Sequence, residues 1–227
     1  MLGRAPVTRH QGRMDRSRIE PLFAAALIAG ASYYANYWLE AGGVAAIVWK
    51  GAGVGLLAFW ARGKAVNQDG RMIGAVLALG ALGDVLLELH GLTTGAVAFM
   101  AGHLLASYLY LRHPRIPAAN WIAPPVAAAV AVFAWYVFGT LPNPELLAVY
   151  VFGLALMTAS AMLSRLGTLV AAGALLFFVS DWLIFLRMGP LAGSPIPQLL
   201  VWPTYFVGQA LIAWGAVHAL RGEKAAA

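Results

Sequence analysis

The sequence predicts an all-α fold, a polytopic membrane bundle of about eight transmembrane helices. Three observations predict it. Of 227 residues, 61% are hydrophobic and only 11% charged, against about 25% charged in an ordinary soluble domain; the mean hydropathy is +0.76. Apolar stretches follow one another from Pro21 to Leu220, each near the ~20 residues that a helix needs to cross ~30 Å of hydrocarbon. The basic residues gather on alternate connectors, the pattern of a chain that crosses a membrane repeatedly.

The first span, 22–39, follows a tail carrying Arg4, Arg9, Arg13, Arg16 and Arg18. Asp15 and Glu20 interrupt that tail and the apolar run is long enough to span, so it reads as a helix rather than a cleaved leader, with Met14 an alternative start. Further spans are predicted at 43–61, 72–89, 95–111, 120–139, 145–163, 167–187 and 199–219. Turn chemistry separates them: Gly42-Gly43, Asn67 to Gly70, His113-Pro114, Pro142-Asn143-Pro144, and Ser194-Pro195 with Pro197. The division is a basic N-tail (1–20), a transmembrane domain (21–220) and a C-terminal tail (221–227). Tight connectors make sequential helices neighbours.

Thirteen of the fifteen Lys and Arg residues fall on one side, in the N-tail, at Arg62, Lys64, Arg71, Arg112, Arg115 and Arg165, and at Arg221 and Lys224. Arg187 lies on the other side, and Lys50 within a span. Both termini are therefore expected in the cytoplasm, in a multi-pass protein of a bacterial-type inner (plasma) membrane. Topology also accounts for the net charge of +6, so no nucleic-acid partner is expected. With no cysteine, disulfides, thiolate nucleophiles and cysteine metal sites are excluded. A weak repeat relates Gly83-Asp84-Val85-Leu86 to Ser180-Asp181-Trp182-Leu183, and Phe99 to His103 with Tyr205 to Gln209. Corresponding spans run the same way, as in two parallel four-helix repeats.

Ionisable residues inside spans are costly and usually face a bundle interior or a water-filled cavity. Here they are Lys50, Asp84, Glu88, His103 and Asp181. From the helical rise, Asp84 lies ~8 Å, Asp181 ~9 Å, Lys50 ~10 Å and His103 ~12 Å from the outer end of its helix. A shared depth on helices of opposite direction points to one cavity. Glu88, one residue from its helix end, reads as a solvated interface carboxylate, and His103 is open to a plain interhelical role. Lys50 could pair with an aspartate or snorkel outward. Short carboxylates two turns deep cannot snorkel, so Asp84 and Asp181 are the strongest candidates. Gly80, Gly83 and Asp84 share a helix face, as do Phe177, Ser180 and Asp181. Tyr33, Tyr34, Tyr37, Trp49 and Trp182 either line a pocket or form an interfacial belt. Two carboxyls near an amine and an imidazole suit acid/base hydrolysis through an oxocarbenium ion. There is no HExxH motif, and an Asp84–Asp181–His103 metal site would lack any recognised ligand spacing. Neither metal nor cofactor is expected.

These residues carry a resemblance. Lys50, Gly83-Asp84-Val85-Leu86-Leu87, Gly95-x3-Phe99-x3-His103, Gly173-Ala174-x2-Phe177-x2-Ser180-Asp181 and Tyr205-x3-Gln209-x-Leu211-Ile212 occur in order. Together they resemble the YhhN family, whose animal members include lysoplasmalogenases, over about 50–215. Two positions depart from the pattern: Gly51 stands where the family often has Pro after the Lys, and Ala106 where it has Tyr. The resemblance implies hydrolysis of the vinyl ether bond of a lysoplasmalogen, releasing a fatty aldehyde and a glycerophospho-head group. Asp84 and Asp181 would then be the acid/base pair in either order. Lys50, His103, Ser180, Tyr205 and Gln209 would bind substrate or tune the pair. The expected partners are a lysophospholipid or other single-chain ether lipid and the surrounding membrane lipids; a homodimer is compatible. A proton-coupled transporter of a small molecule or lipid using the same Asp/Lys/His cluster is the alternative, and a structural or partner-binding membrane protein the third reading.

Overall fold

The structure, a computed structural model, describes residues 20–115, 132 and 144–226. These residues are helical, apart from turns and a single bridge between Pro114 and Ser164. In chain order the helices are α1 (Pro21–Tyr33), α2 (Asn36–Leu39), α3 (Gly43–Lys64), α4 (Gln68–His90), α5 (Leu92–Leu111), α6 (Pro144–Met162), α7 (Thr168–Arg187) and α8 (Pro195–Ala226). Among the described residues, five helices are long and apolar enough to cross a membrane: α3, α4, α5, α7 and the 195–223 stretch of α8. Helix α6 adds a shorter apolar run, Leu147–Met162. The predicted span 120–139 lies outside the described residues.

The first span departs from expectation. The run 22–39 is two helices, because Tyr34 and Ala35 turn the chain with N–H groups donated to Ala31 and Ser32 carbonyls. Helix α1 has 13 residues, about 20 Å, short of the ~30 Å hydrocarbon core. Hydropathy counted the apolar residues, but continuity is lost where polar groups find local partners. Ser32 donates to the Ala29 carbonyl at 2.9 Å, and the Asn36 side chain accepts from the Ala41 N–H at 2.9 Å. The other boundaries follow sequence signals. Asn67 caps α4 by accepting the Gly70 N–H at 2.8 Å. Gly91, at φ 82°, lets α4 turn directly into α5, a conformation that L side chains rarely adopt.

Sequential helices pack together, α1 on α3, α3 on α4, α4 on α5, α6 on α7 and α7 on α8. Helix α8 then crosses back onto α3, α4 and α1, and α5 packs on α6. The result is a closed bundle around α4 and α8. Close approach of α7 and α8 rests on missing side chains: a Cβ added at Gly173 would lie 2.6 Å from the Gly208 carbonyl oxygen, and one at Gly208 2.7 Å from that of Gly173. Phe23, Trp60 and Trp214 pack α1, α3 and α8 together, with the Trp60 and Trp214 rings stacked at 5.7 Å.

The end of the bundle that carries Lys64, Asp69, Arg112 and Arg165 is tied by charge. His113 places Nε2 2.9 Å from Asp69 and Nδ1 3.4 Å from Glu223, while Arg165 reaches Glu223 at 3.3 Å and Arg112 reaches Asp69 at 3.3 Å. This network joins the start of α4, the end of α5, the α6–α7 turn and the end of α8. Glu20 pins the start of α1 to the end of α3, accepting from Lys64 at 2.6 Å and from the Trp60 indole at 3.0 Å. Partial burial works to raise its carboxyl, but hydrogen bonds from Lys64 and Trp60 outweigh it and hold it below its usual 4.5.

Two outcomes follow from this packing. Gly173→Val forces α7 off α8, and overpacking of this kind costs about 1–3 kcal/mol; unfolding in detergent read by circular dichroism should show the loss, and an unchanged midpoint would contradict the close approach. Because the Glu20 carboxyl is depressed in the folded state, its contribution is fully present above 4.5 and lost as pH falls through the folded value. The stability gap between wild type and Glu20→Gln should therefore be open at neutral pH and close on acidification, as measured by the same unfolding assay at both pH values.

Candidate active site

The bundle end opposite the His113 network contains a cavity of about 260 Å³. It is built from residues near one end of each contributing helix. Helix α3 supplies Lys50, α4 supplies Asp84 and Glu88, and α7 supplies Ser180, Asp181 and Arg187. Helix α8 brings Gln198, Trp202 and Tyr205, and the broken α1–α2 segment brings Tyr33, Tyr34, Asn36 and Tyr37. The break in the first span thus turns three tyrosines and an asparagine inward at the rim.

Both predicted aspartates line this cavity, and each is buried, at 3% and 5% exposure. Each carboxylate accepts a hydrogen bond from a buried tyrosine on another helix. The Tyr205 hydroxyl donates to Asp84 Oδ2 at 2.8 Å, linking α8 to α4, and the Tyr150 hydroxyl donates to Asp181 Oδ2 at 2.5 Å, linking α6 to α7. Behind Asp181 the chain continues, since His103 Nε2 lies 3.3 Å from the Tyr150 oxygen. A tyrosine hydroxyl has one proton, and the short contact commits it to Asp181; His103 Nε2 is then the donor to Tyr150. Behind Asp84, the Gln209 side chain hydrogen-bonds the Tyr205 hydroxyl.

Aromatic rings form the floor between the two carboxylates. Phe99, Phe177 and Tyr205 meet edge to face with centroids 5.1–5.9 Å apart, and His103 stands edge-on to Phe177 at 5.0 Å. Gly83 makes room for this floor, because a Cβ there would lie 2.8 Å from the Phe99 ring.

Several expectations need correction. Lys50 pairs with Glu88 at 2.6 Å rather than with either aspartate, so Glu88 is a cavity residue with a fixed partner and not merely an interfacial carboxylate. Their positions on adjacent helices α3 and α4 put the longer carboxylate within reach of the ammonium. His103 does not line the cavity: it is 2% exposed, and Tyr150 stands between it and Asp181. Gln209 is likewise behind the wall, where its amide packs over Gly80. Ser180 is at the cavity, but its hydroxyl donates to the Val201 carbonyl at 3.0 Å, two residues before Pro203 in α8. Tyr33, Tyr34 and Tyr37 line the cavity, whereas Trp49 donates to Ser32 at 2.9 Å outside it, and Trp182 is not among the lining residues.

Tyr150 is the residue that motif reading missed. A signal for it existed: it lies six residues into α6, ~9 Å from the helix start, the depth at which the aspartates sit. Applied to hydroxyls as well as charges, the depth rule finds it. Of the motifs in the suspected repeat, Asp84, Phe99, Ser180, Asp181 and Tyr205 line the cavity while His103 and Gln209 do not, and the hydroxyls do not follow the repeat. The counterpart of Tyr205 in the repeat is Phe99, which has no proton to give, and Asp181 takes its donor from α6 instead.

The sequence matches the YhhN family over residues 45–216. The chain belongs to the YhhN family. No curated protein and no solved structure matches it. Both aspartates of this YhhN chain, and the two tyrosines that hydrogen-bond them, lie inside the matched segment.

The two tyrosines can be weighed against a third. Tyr110 is fully buried, and its hydroxyl has no hydrogen-bond partner among the described residues. Removing a partner from a buried carboxylate costs about 1–3 kcal/mol, whereas removing an unpaired hydroxyl is close to neutral. Tyr150→Phe and Tyr205→Phe should each lower detergent unfolding stability by that amount, and Tyr110→Phe should leave it unchanged or raised. Equal effects in all three would sink the assignment.

Proposed function

We propose that this YhhN-family protein is a membrane-embedded lipid hydrolase that cleaves the vinyl ether bond of a lysoplasmalogen, giving a fatty aldehyde and a glycerophospho-head group. The observation that carries the reading is the pair of buried aspartates in one cavity, each oriented by a tyrosine from another helix. Vinyl ether hydrolysis needs one carboxyl to give a proton and another to take one, and needs no further reagent than water.

Among the cavity residues, two cations (Lys50 and Arg187) face three carboxyls (Asp84, Glu88 and Asp181). The set is neutral when one carboxyl carries a proton. Glu88 is committed to Lys50, which leaves that proton to the aspartates. We assign Asp84 as the acid and Asp181 as the base, because the tyrosine hydroxyl contact to Asp181 is the shorter, 2.5 Å against 2.8 Å, and suits an ionised partner.

In the first step the Asp84 carboxyl gives its proton to the vinyl carbon farther from the ether oxygen, and the C=C pair forms the new C–H bond. The adjacent carbon becomes an oxocarbenium ion, which the Asp181 carboxylate stabilises. Asp181 then takes a proton from water as the water oxygen bonds to that carbon, giving a hemiacetal. Collapse breaks the bond to the glycerol oxygen. The hemiacetal hydroxyl proton returns to Asp84, and the proton held by Asp181 passes to the departing oxygen. One water is consumed and both aspartates regain their starting states. Exchanging the two roles gives the same products.

Topology supports the same reading. Arg62, Lys64, Arg71, Arg112 and Arg165 lie at the end of the bundle opposite the cavity. By the positive-inside rule that end and both termini are cytoplasmic, and the cavity faces the outer leaflet of a bacterial-type inner membrane. We propose about eight crossings in all, with the α1–α2 segment together making the first.

Purified protein in detergent should release fatty aldehyde from choline or ethanolamine lysoplasmalogen. Asp84→Asn and Asp181→Asn should each reduce the rate by about 10²–10⁴-fold, the usual weight of a general acid or base. A well-folded wild type that releases no aldehyde from either head group would remove the hydrolase reading and make transport by reconstituted protein the next assay.

A further inference from the structure

Asp181 belongs to two spaces. It lines the polar cavity, and with Leu87, Phe99 and Ile184 it also walls a second space of about 30 Å³ on the α5–α6 side. That second space is a neck, about the room one water occupies in the liquid. Its outer wall, Leu92, Ala96, Leu147 and Tyr150, is shared in turn with a third space of about 150 Å³ between α5 and α6. Among the described residues around that third space, all except Thr93 and Tyr150 are apolar. Val97 and Val149 at its edge are 64% and 62% exposed, so on a spanning helix they face lipid.

The three spaces adjoin through shared walls, Leu87, Phe99, Asp181 and Ile184 between the first two and Leu92, Ala96, Leu147 and Tyr150 between the last two, and the lining changes character at the aspartate. On one side of Asp181 are Lys50, Glu88, Arg187 and Gln198; on the other are aliphatic side chains. An amphiphile has the same profile, and the bond at its polar–apolar junction comes to rest at Asp181 when head and tail occupy matching halves. We infer that the neck and the α5–α6 slot bind the single hydrocarbon chain of the substrate, with its head group in the polar cavity and its chain end directed to the bilayer. This rests on the hydrolase reading for the identity of the head and deepens it by placing the tail.

The neck sets the substrate class. It admits one extended chain and leaves no room for a second, which selects single-chain over two-chain lipids by volume rather than by head-group contacts. The slot runs along α5 from Leu92 to Met100, about 12 Å at the helical rise. Binding should therefore strengthen with chain length until the slot is filled and then level off. Ala96 occupies the junction of neck and slot with the smallest side chain there, so bulk added at that position blocks the way from neck to slot.

The test uses a saturated 1-O-alkyl lysophosphocholine with a diazirine at the chain terminus, a probe that binds without being cleaved. Irradiation of the full-length protein in detergent, followed by peptide mapping, should place the label on α5 within 92–100 and on α6 within 147–150. Ala96→Trp should cut that labelling at least tenfold, and should raise KM for a long-chain vinyl ether while leaving a butenyl analogue unaffected. Leu147→Phe narrows the same path more gently and serves if Ala96→Trp does not fold. Label on α1 or α3, or an equal loss of long- and short-chain turnover in the variants, would overturn the slot. Wild type that labels at α5 and α6 but cleaves no vinyl ether would keep the slot and remove the hydrolase reading. Cleavage without labelling there would do the reverse.

Discussion

Two carboxylates held inside a bundle of apolar helices constrain everything around them. A buried carboxyl without partners costs several kcal/mol, about what a whole domain has to spare. The bundle meets this by bringing a hydroxyl to each aspartate from a different helix, Tyr205 on α8 to Asp84 on α4 and Tyr150 on α6 to Asp181 on α7. Neither contact is local, since the partners are 121 and 31 residues apart. Satisfying them requires α8 to return across the bundle to α4, which is the contact that closes it. The polar site and the closure of the fold are one requirement.

Other features serve that requirement. Gly173 and Gly208 allow α7 and α8 the separation at which Asp181 and Tyr205 share one cavity. Near the site on α8, the Ser180 and Thr204 hydroxyls both reach the Val201 carbonyl and the Trp202 indole donates to the Gly30 carbonyl on α1. The break between α1 and α2 costs the first helix its length but brings Tyr33, Tyr34 and Asn36 to the cavity rim. Charge is segregated accordingly. One end of the bundle carries the Asp69–His113–Glu223 network that ties four segments, and the other carries the cavity with Lys50, Glu88 and Arg187. The ion-pair network and the polar cavity are thereby placed at opposite ends of the bundle.

Composition, period and charge were enough for the class of the protein, and burial cost was enough for its centre. An ionisable group two turns deep in an apolar span has few structural excuses, so Asp84 and Asp181 stood out with no fold in hand. Equal depth on antiparallel helices was also legible, because the rise per residue is constant, and it correctly brought Lys50 and both aspartates to one space. Depth alone failed for His103. It shares the layer but faces the far side of Tyr150, and rotation about the helix axis is not contained in depth.

The sequence by itself determined an all-helical membrane protein of the YhhN family with two carboxylates inside it. These follow from hydropathy, helical rise and residue order, which are properties of the chain taken one segment at a time. Only the tertiary structure decided who partners whom: Glu88 rather than an aspartate for Lys50, Tyr150 rather than a repeat-related hydroxyl for Asp181, a carbonyl of α8 for Ser180. It also decided that the first apolar run is two helices and that Asp181 stands where a polar cavity meets an apolar neck. The reason is physical. Partner choice depends on the rotation and separation of helices distant in the chain, and these are set by packing of small and large side chains across interfaces that no single segment encodes.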